Sequence, residues 1–234
     1  MEWERDGYIV LPGFLDATTT AALLREVQVA EPADAGPNPL SHGAMEFRSV
    51  LFARSPTLQG FLVAPATVDL VTTLLGPDVW CRWDQAVCKR PGAGWFPWHQ
   101  DNGYTGLEAV HLQLWVALTP SRPANGGLLV APGRHHGPLV HHWEGDHVVT
   151  PDVEDGVAIV ADAGDVIVFS SLLPHATTPN TSSDERWTYV AEFLPLGAQD
   201  HSVPAPHLVV ARDGRPCRSW VDLEACWLAA DQPT

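Results

Sequence analysis

Cysteine is scarce: Cys81, Cys88, Cys217 and Cys226 are the only four in 234 residues, and no two form a CxxC pair. A disulfide framework or a thiolate zinc site needs more thiols or closer ones, so reduced core or surface thiols are expected. Basic residues are also few. Thirteen Lys and Arg stand against 28 Asp and Glu, a formal net charge of −15, and such an acidic surface repels nucleic-acid phosphates and anionic lipid. Nucleic acid and membrane are therefore not expected as partners. No apolar run approaches the ~20 residues that cross a bilayer, and the opening Met1-Glu-Trp-Glu-Arg-Asp6 lacks the regions of a signal peptide, so a cytoplasmic location is expected. Also missing are GxSxG, a Walker loop, GxGxxG after a strand, and HExxH, which removes the common nucleophilic, nucleotide and zincin readings. No internal repeat is visible, which excludes solenoids and propellers.

What is present is a 45% hydrophobic chain punctuated by 19 Gly and 21 Pro. That is enough apolar material for one large domain over residues 1–234: a helical and strand cover (1–78), a β core (79–200) and a C-terminal extension (201–234). Tyr8 to Leu11 reads as a short strand. Asp16 then reads as the N-cap of a helix carrying Leu23, Leu24 and Val27. Glu31 to Gly43 reads as loop, and Leu58 to Leu75 as a second helix ending at Gly76-Pro77. From Val79 the pattern becomes β: Val79 to Lys89, Val110 to Leu118, Gly127 to Val130, Gly156 to Val160, Asp165 to Phe169 and Trp187 to Phe193. Strands without intervening helices favour an antiparallel sandwich or barrel, so the fold is expected to be mainly β with flanking helices.

The chemistry concentrates in a few side chains. Trp98-His99-Gln100-Asp101 sets an imidazole and a carboxylate two residues apart, on one face if the segment is extended. His175 follows the strand ending at Phe169 and can complete two His and one carboxylate, a facial set with open positions suited to non-haem Fe(II). Both histidines must be neutral to bind, so metal affinity is expected to fall as pH drops through about 6.5. Arg186 and Thr188 share a face of the next strand and suit a carboxylate. Read without context, His99 and Asp101 also fit a polar turn, and Arg186 a surface charge paired with Asp184 or Glu185. His135, His136, His141, His142 and His147 crowd one segment and read as a solvent-facing rim more readily than as a second metal site. Trp95, Asn102 and Tyr104 flank the His-Asp pair as candidate substrate contacts, against the plainer roles of core and turn residues.

In order along the chain, these features resemble the phytanoyl-CoA dioxygenase family of Fe(II)/2-oxoglutarate-dependent oxygenases. The resemblance runs from Arg5-Asp-Gly-Tyr-Ile-Val-Leu-Pro-Gly-Phe-Leu15 and Lys89-Arg-Pro-Gly92 through Trp98-His-Gln-Asp101 and Leu114-Trp-Val-Ala-Leu118. It continues in Asn125-Gly-Gly-Leu128, Gly164-Asp-Val-Ile-Val-Phe169, His175, Asn180 and Arg186. One departure is Pro132-Gly-Arg-His135, where the family usually has Pro-Gly-Ser-His. The resemblance implies a double-stranded β-helix (jelly-roll, cupin-like) fold. It implies that His99, Asp101 and His175 bind Fe(II), that Arg186 and Thr188 receive the distal carboxylate of 2-oxoglutarate, and that Trp115 lies near this co-substrate; Gln85 is matched by approximate position. The implied activity is O2-dependent hydroxylation or other oxidation of a small organic molecule, by family analogy in secondary metabolism, releasing succinate and CO2. Two rival readings use the same residues: a catalytically silent jelly-roll binding protein, and a zinc hydrolase.

Overall fold

A short helix, α1 (Glu2–Asp6), leads into β1 (Tyr8–Leu11), and Asp16 then caps α2 (Ala17–Val29), its carboxylate accepting the Thr19 N–H at 2.7 Å. The computed structural model describes residues 2–30, 44–105, 107, 109–145, 147–198 and 207–221; the expected loop Glu31 to Gly43 and Cys226 lie outside these. Met45–Ser49 forms a strand, β2, that the sequence reading did not assign. Its Arg48 donates to the carbonyls of Val27 (2.7 Å), Gln28 (2.6 Å) and Ala30 (2.9 Å), satisfying the C-terminal end of α2. The single helix expected over Leu58 to Leu75 is two, α3 (Pro56–Leu62) and α4 (Pro65–Leu75), bent by 51°. Pro65 causes the break: its ring disfavours helical backbone at the preceding residue, and Ala64 is extended (φ −61°, ψ 143°).

The remaining elements are β3 (Val79–Lys89), β4 (Phe96–His99), α5 (Asn102–Thr105), β5 (Leu112–Ala117), β6 (Leu128–Val130), β7 (His142–Glu144), β8 (His147–Val149), β9 (Val157–Ala158), β10 (Val166–Ser170), β11 (His175–Thr177), β12 (Arg186–Pro195), β13 (His207–Arg212) and β14 (Arg215–Val221). They form a large antiparallel sheet in the order β1-β10-β5-β12-β3-β13-β14, with β2 also on β3. A smaller sheet runs β4-β11-β6-β9, and β7 and β8 make a separate hairpin. The large sheet thus takes strands from the expected cover and from the expected extension as well as from the β core.

One face of the large sheet is covered by the helices. Leu23, Val27, Leu58, Leu62, Val68 and Val71 pack there against Cys81, Cys88, Tyr189 and Phe193. The opposite face meets the smaller sheet, and Trp115, Ile167, Phe169 and Val190 pack with Leu128 and Val130 between the two. Two facing antiparallel sheets make the jelly roll. Cys81 and Cys88 are buried free thiols, and no disulfide occurs among the described residues.

Candidate active site and metal centre

The space between the sheets narrows to a cavity whose walls differ in chemistry. On the smaller sheet, His175 of β11 stands directly across from His99 of β4, with ring centroids 4.0 Å apart. Their Nε2 atoms lie 3.8 and 3.6 Å from Asp101 Oδ1, and all three potential ligand atoms fall within 4.8 Å of one another. Among the described residues this is the one such cluster. The crowded histidines go elsewhere: His136 Nε2 meets the Glu4 carbonyl at 2.7 Å, His142 pairs with Glu144, and His147 lies edge-on to Phe96.

Strand alternation alone does not build this arrangement. Between its contacts with Thr177 and His175, β4 spends one more residue than β11, a bulge that lets Phe96 and His99 both line the cavity. The strand ends at His99. A turn then brings Asp101 back, with the Gly103 N–H donating to Gln100 O at 2.9 Å and the Tyr104 N–H to Asp101 O at 3.0 Å. Asp101 is therefore carried by a turn, not by the extended segment expected.

The donor set fits a divalent metal. His99 Nδ1 lies 2.8 Å from Pro97 O and His175 Nδ1 lies 3.0 Å from Leu173 O. A carbonyl only accepts, so each Nδ1 carries the proton and each Nε2 lone pair is left for a metal. Asp101 Oδ2 is buried with no hydrogen bond. Burial lowers His99 to about 3, reinforced by the neighbouring His175, and lowers His175 to about 4; burial raises Asp101 to about 7, against the pull of His99. The imidazoles are thus neutral, as ligation requires.

The large sheet supplies the opposite wall. Arg186, Thr188, Val190 and Glu192 alternate onto the cavity face of β12, beside Gln85 of β3 and Trp115 of β5. Arg186 is buried, its Nη1 donating to Thr188 Oγ1 at 2.9 Å, its Nε without a partner, and its guanidinium 5.8 Å from the Trp115 ring centre. Behind it, Lys89 donates to Gly94 O (2.9 Å) and Thr178 O (2.7 Å), and burial together with Arg186 lowers it to about 7. The Asn125-Gly-Gly turn closes on this lysine: a Cβ on Gly126 would lie 2.5 Å from the Lys89 side chain. Arg186 is therefore the cation that lines this wall of the cavity, with Lys89 packed behind it and turned to backbone carbonyls.

The three candidate substrate contacts fare differently. Trp95 is 45% exposed and does not line the cavity; Phe96, at the bulge, takes that place. Asn102 is buried, and its amide donates to Leu107 O (2.8 Å) and Ala109 O (3.1 Å), closing a turn. Tyr104 stands edge-on to His99 with centroids 5.7 Å apart, and its hydroxyl accepts the Val148 N–H. Glu192 and Gln113, which also line the cavity, were not singled out in the sequence, although Glu192 lies on the same alternation as Arg186 and Thr188.

Facing antiparallel sheets enclosing a His-Asp-His centre define a jelly-roll oxygenase that uses Fe(II) and 2-oxoglutarate. The chain belongs to the phytanoyl-CoA dioxygenase (PhyH) family, whose profile matches residues 3–188. It is 27% identical over 209 residues to a methylphosphonate hydroxylase from Gimesia maris, covering 85% of this chain and 80% of that protein. Among solved structures, the non-heme monooxygenase ThoJ superposes with a TM-score of 0.76 at 24% identity, covering 97% of this chain and 91% of that one. The epimerase SnoN, in complex with Fe3+, alpha ketoglutarate and nogalamycin RO, superposes with a TM-score of 0.71 at 19% identity, covering 93% of each chain. At these identities the structural matches speak for the fold.

Proposed function

We propose that the protein hydroxylates a small organic molecule, with Fe(II) held by His99, Asp101 and His175 and with 2-oxoglutarate anchored by Arg186 and Thr188. The observation that carries this reading is one cavity with the ligand triad on one wall and a buried, partly unpaired guanidinium on the other. When bound, iron supplies the activation of O2, and 2-oxoglutarate supplies two electrons as it becomes succinate and CO2.

The chain's own residues bind, orient and exclude. His99 Nε2, His175 Nε2 and Asp101 Oδ1 would hold the metal, three protein donors being a set that suits Fe(II) with O2 and a co-substrate. Arg186, already oriented by Thr188, offers its spare Nε–H to the distal carboxylate, a charge-assisted bond strengthened by the dry surroundings. Trp115 and Gln85, both paired with Val190 of β12, line the same cavity and would flank the co-substrate. Phe96, Leu128, Phe169 and Val190 keep water from the reacting centre. Asp101, a carboxylate where the family's halogenases carry Gly or Ala, favours hydroxylation over halogenation. The Gimesia maris relative is named for hydroxylation of a small phosphonate, which agrees with a compact substrate. The net charge of −15 argues against nucleic acid and anionic membranes as partners. Among the described residues no single helix is long and apolar enough to cross a membrane, and we read the protein as cytoplasmic.

The test is succinate formation under air with Fe(II), 2-oxoglutarate and ascorbate, with His175→Ala as control. Turnover in the parent protein, uncoupled or driven by a screened substrate, and none in the control is expected. Anaerobic Fe(II) plus 2-oxoglutarate giving no visible charge-transfer band would instead favour the silent binder or the zinc hydrolase.

A further inference from the structure

Beyond Arg186, Thr188 and Val190, the cavity face of β12 ends in Glu192, a carboxylate with only 8% of its surface exposed. Here the pairing of β12 with β3 slips. Glu192 pairs with Trp83 but Phe193 with Cys81, so Arg82 is the extra residue of a bulge. Its guanidinium forms a buried ion pair with Glu192 Oε2, and His111 Nε2 lies 3.7 Å from the same oxygen. On the other neighbouring strand, β5, Gln113 stands directly opposite Glu192. Gln113 is buried and lines the cavity together with Glu192 and Asp101, and its side chain favours the charged form of both carboxylates.

Asp101 turns Oδ1 toward both histidines, which leaves Oδ2 buried and without a geometrically complete hydrogen bond. A carboxylate that ligates through one oxygen needs a donor at the other to fix its rotation. The two N–H bonds of the Gln113 amide can serve one carboxylate each. A buried ion pair is costly to desolvate, and apolar residues of similar size would pack there at least as well. Its position, one side chain removed from a metal ligand, gives it a use.

We propose that Gln113 is a positioning residue for the metal-binding carboxylate: its amide, braced by the Glu192–Arg82 ion pair, holds the second oxygen of Asp101 so that Oδ1 faces the metal. This rests on the iron site proposed above. The chain of contacts runs from the bulge at Arg82, through Glu192 and Gln113, to Asp101.

The experiment compares the parent protein with Gln113→Leu and Gln113→Asn. Fe(II) is titrated anaerobically at saturating 2-oxoglutarate by the charge-transfer band, 2-oxoglutarate is titrated at saturating Fe(II), and the metal-free proteins are melted. Gln113→Leu is expected to weaken Fe(II) by ~10–100-fold, the usual effect of losing a group that orients a metal ligand, while 2-oxoglutarate affinity changes less than about twofold. Gln113→Asn, one methylene too short to reach both carboxylates, falls between, and its metal-free melting temperature stays within about 2 °C of the parent. Co(II)-loaded Gln113→Asn is expected to show a shifted ligand-field spectrum. If Gln113→Leu does not fold, Gln113→Asn decides the question. Parent-like Fe(II) affinity in the variants overturns the proposal, as does a loss that merely tracks melting of the metal-free chain. A parent protein without the band would count against the iron site itself, not against Gln113.

Discussion

His175 and His99, far apart in sequence, are direct cross-strand partners on β11 and β4. Backbone pairing of the small sheet therefore sets the distance between two metal ligands, with each ring locked by a carbonyl two residues earlier in its own chain segment. Either side chain can be removed without breaking the pairing that aligns the other.

His175→Ala is accordingly expected to keep the fold and lose the metal. Fe(II) affinity should drop by more than the ~10–100-fold that follows loss of a merely orienting neighbour, and the charge-transfer band with 2-oxoglutarate should vanish. Circular dichroism of the metal-free variant should match the parent. Retention of the band would remove His175 from the ligand set.

Arg186→Ala should leave Fe(II) bound and weaken 2-oxoglutarate. Removing one half of a buried charge-assisted pair costs on the order of 2 to 5 kcal/mol, roughly 30-fold to several thousand-fold in Kd. Arg186→Lys should recover only part of this, because an ammonium lacks the planar fork that meets both the carboxylate and Thr188. Equal 2-oxoglutarate affinity in the parent and Arg186→Ala would refute the role.

The pH dependence of metal binding should follow Asp101, not the histidines. Burial holds His99 and His175 at about 3 and about 4, so protons compete for the imidazoles only in strong acid, well below the 6.5 expected from an ordinary histidine. Asp101, raised by burial to about 7, carries in the metal-free protein a proton that the metal must displace. Fe(II) affinity should therefore fall by about tenfold per unit as pH drops below about 7. Calorimetry at pH 6 in two buffers of different ionisation enthalpy should read about one proton released per Fe(II) bound; a count of zero would contradict this.

On the helix side of the large sheet, Asp84 accepts the Tyr189 hydroxyl at 2.7 Å and the Phe52 N–H at 2.8 Å, tying the start of the α3 region to β3 and β12. Asp84→Ala strands both donors and should cost about 2 to 4 kcal/mol in urea denaturation. Asp84→Asn keeps an acceptor and should cost far less. Burial raises Asp84 to about 7. The native state therefore holds a proton that the unfolded chain has released, and this group's contribution to stability declines as pH rises from about 4 to about 7. Asp84→Asn should lack that decline, so the gap between it and the parent should narrow or reverse at pH 8; a pH-independent gap would contradict the assignment.

Local signals were strong where residues act on their own neighbours. The Asp16 cap and the β3 limits at Val79 and Lys89 follow from short-range pattern and stand as expected. The break at Pro65 was also local, but the continuous apolar spacing from Leu58 to Leu75 masked it. Strand β2 was too short, and its Met45-Glu-Phe-Arg-Ser alternation too slight, to register until β3 was there to pair with it. Trp95 shows the opposite failure: its apolar character suggested a pocket, while the β4 bulge gave that place to Phe96.

Composition, spacing and motif order were enough to indicate a mainly β chain, two histidines and an aspartate that could form one ligand set, and an arginine suited to a carboxylate, because those choices depend on residue type and sequence order; 2-oxoglutarate as the owner of that carboxylate came from the family resemblance. The turn that returns Asp101, the opposition of His175 to His99, and the bulge that brings Arg82 to Glu192 belong to the folded sheets alone. Strand register and bulges are set by pairing between distant segments, and a slip of one residue would send a strand side chain such as His175 or Glu192 to the other face.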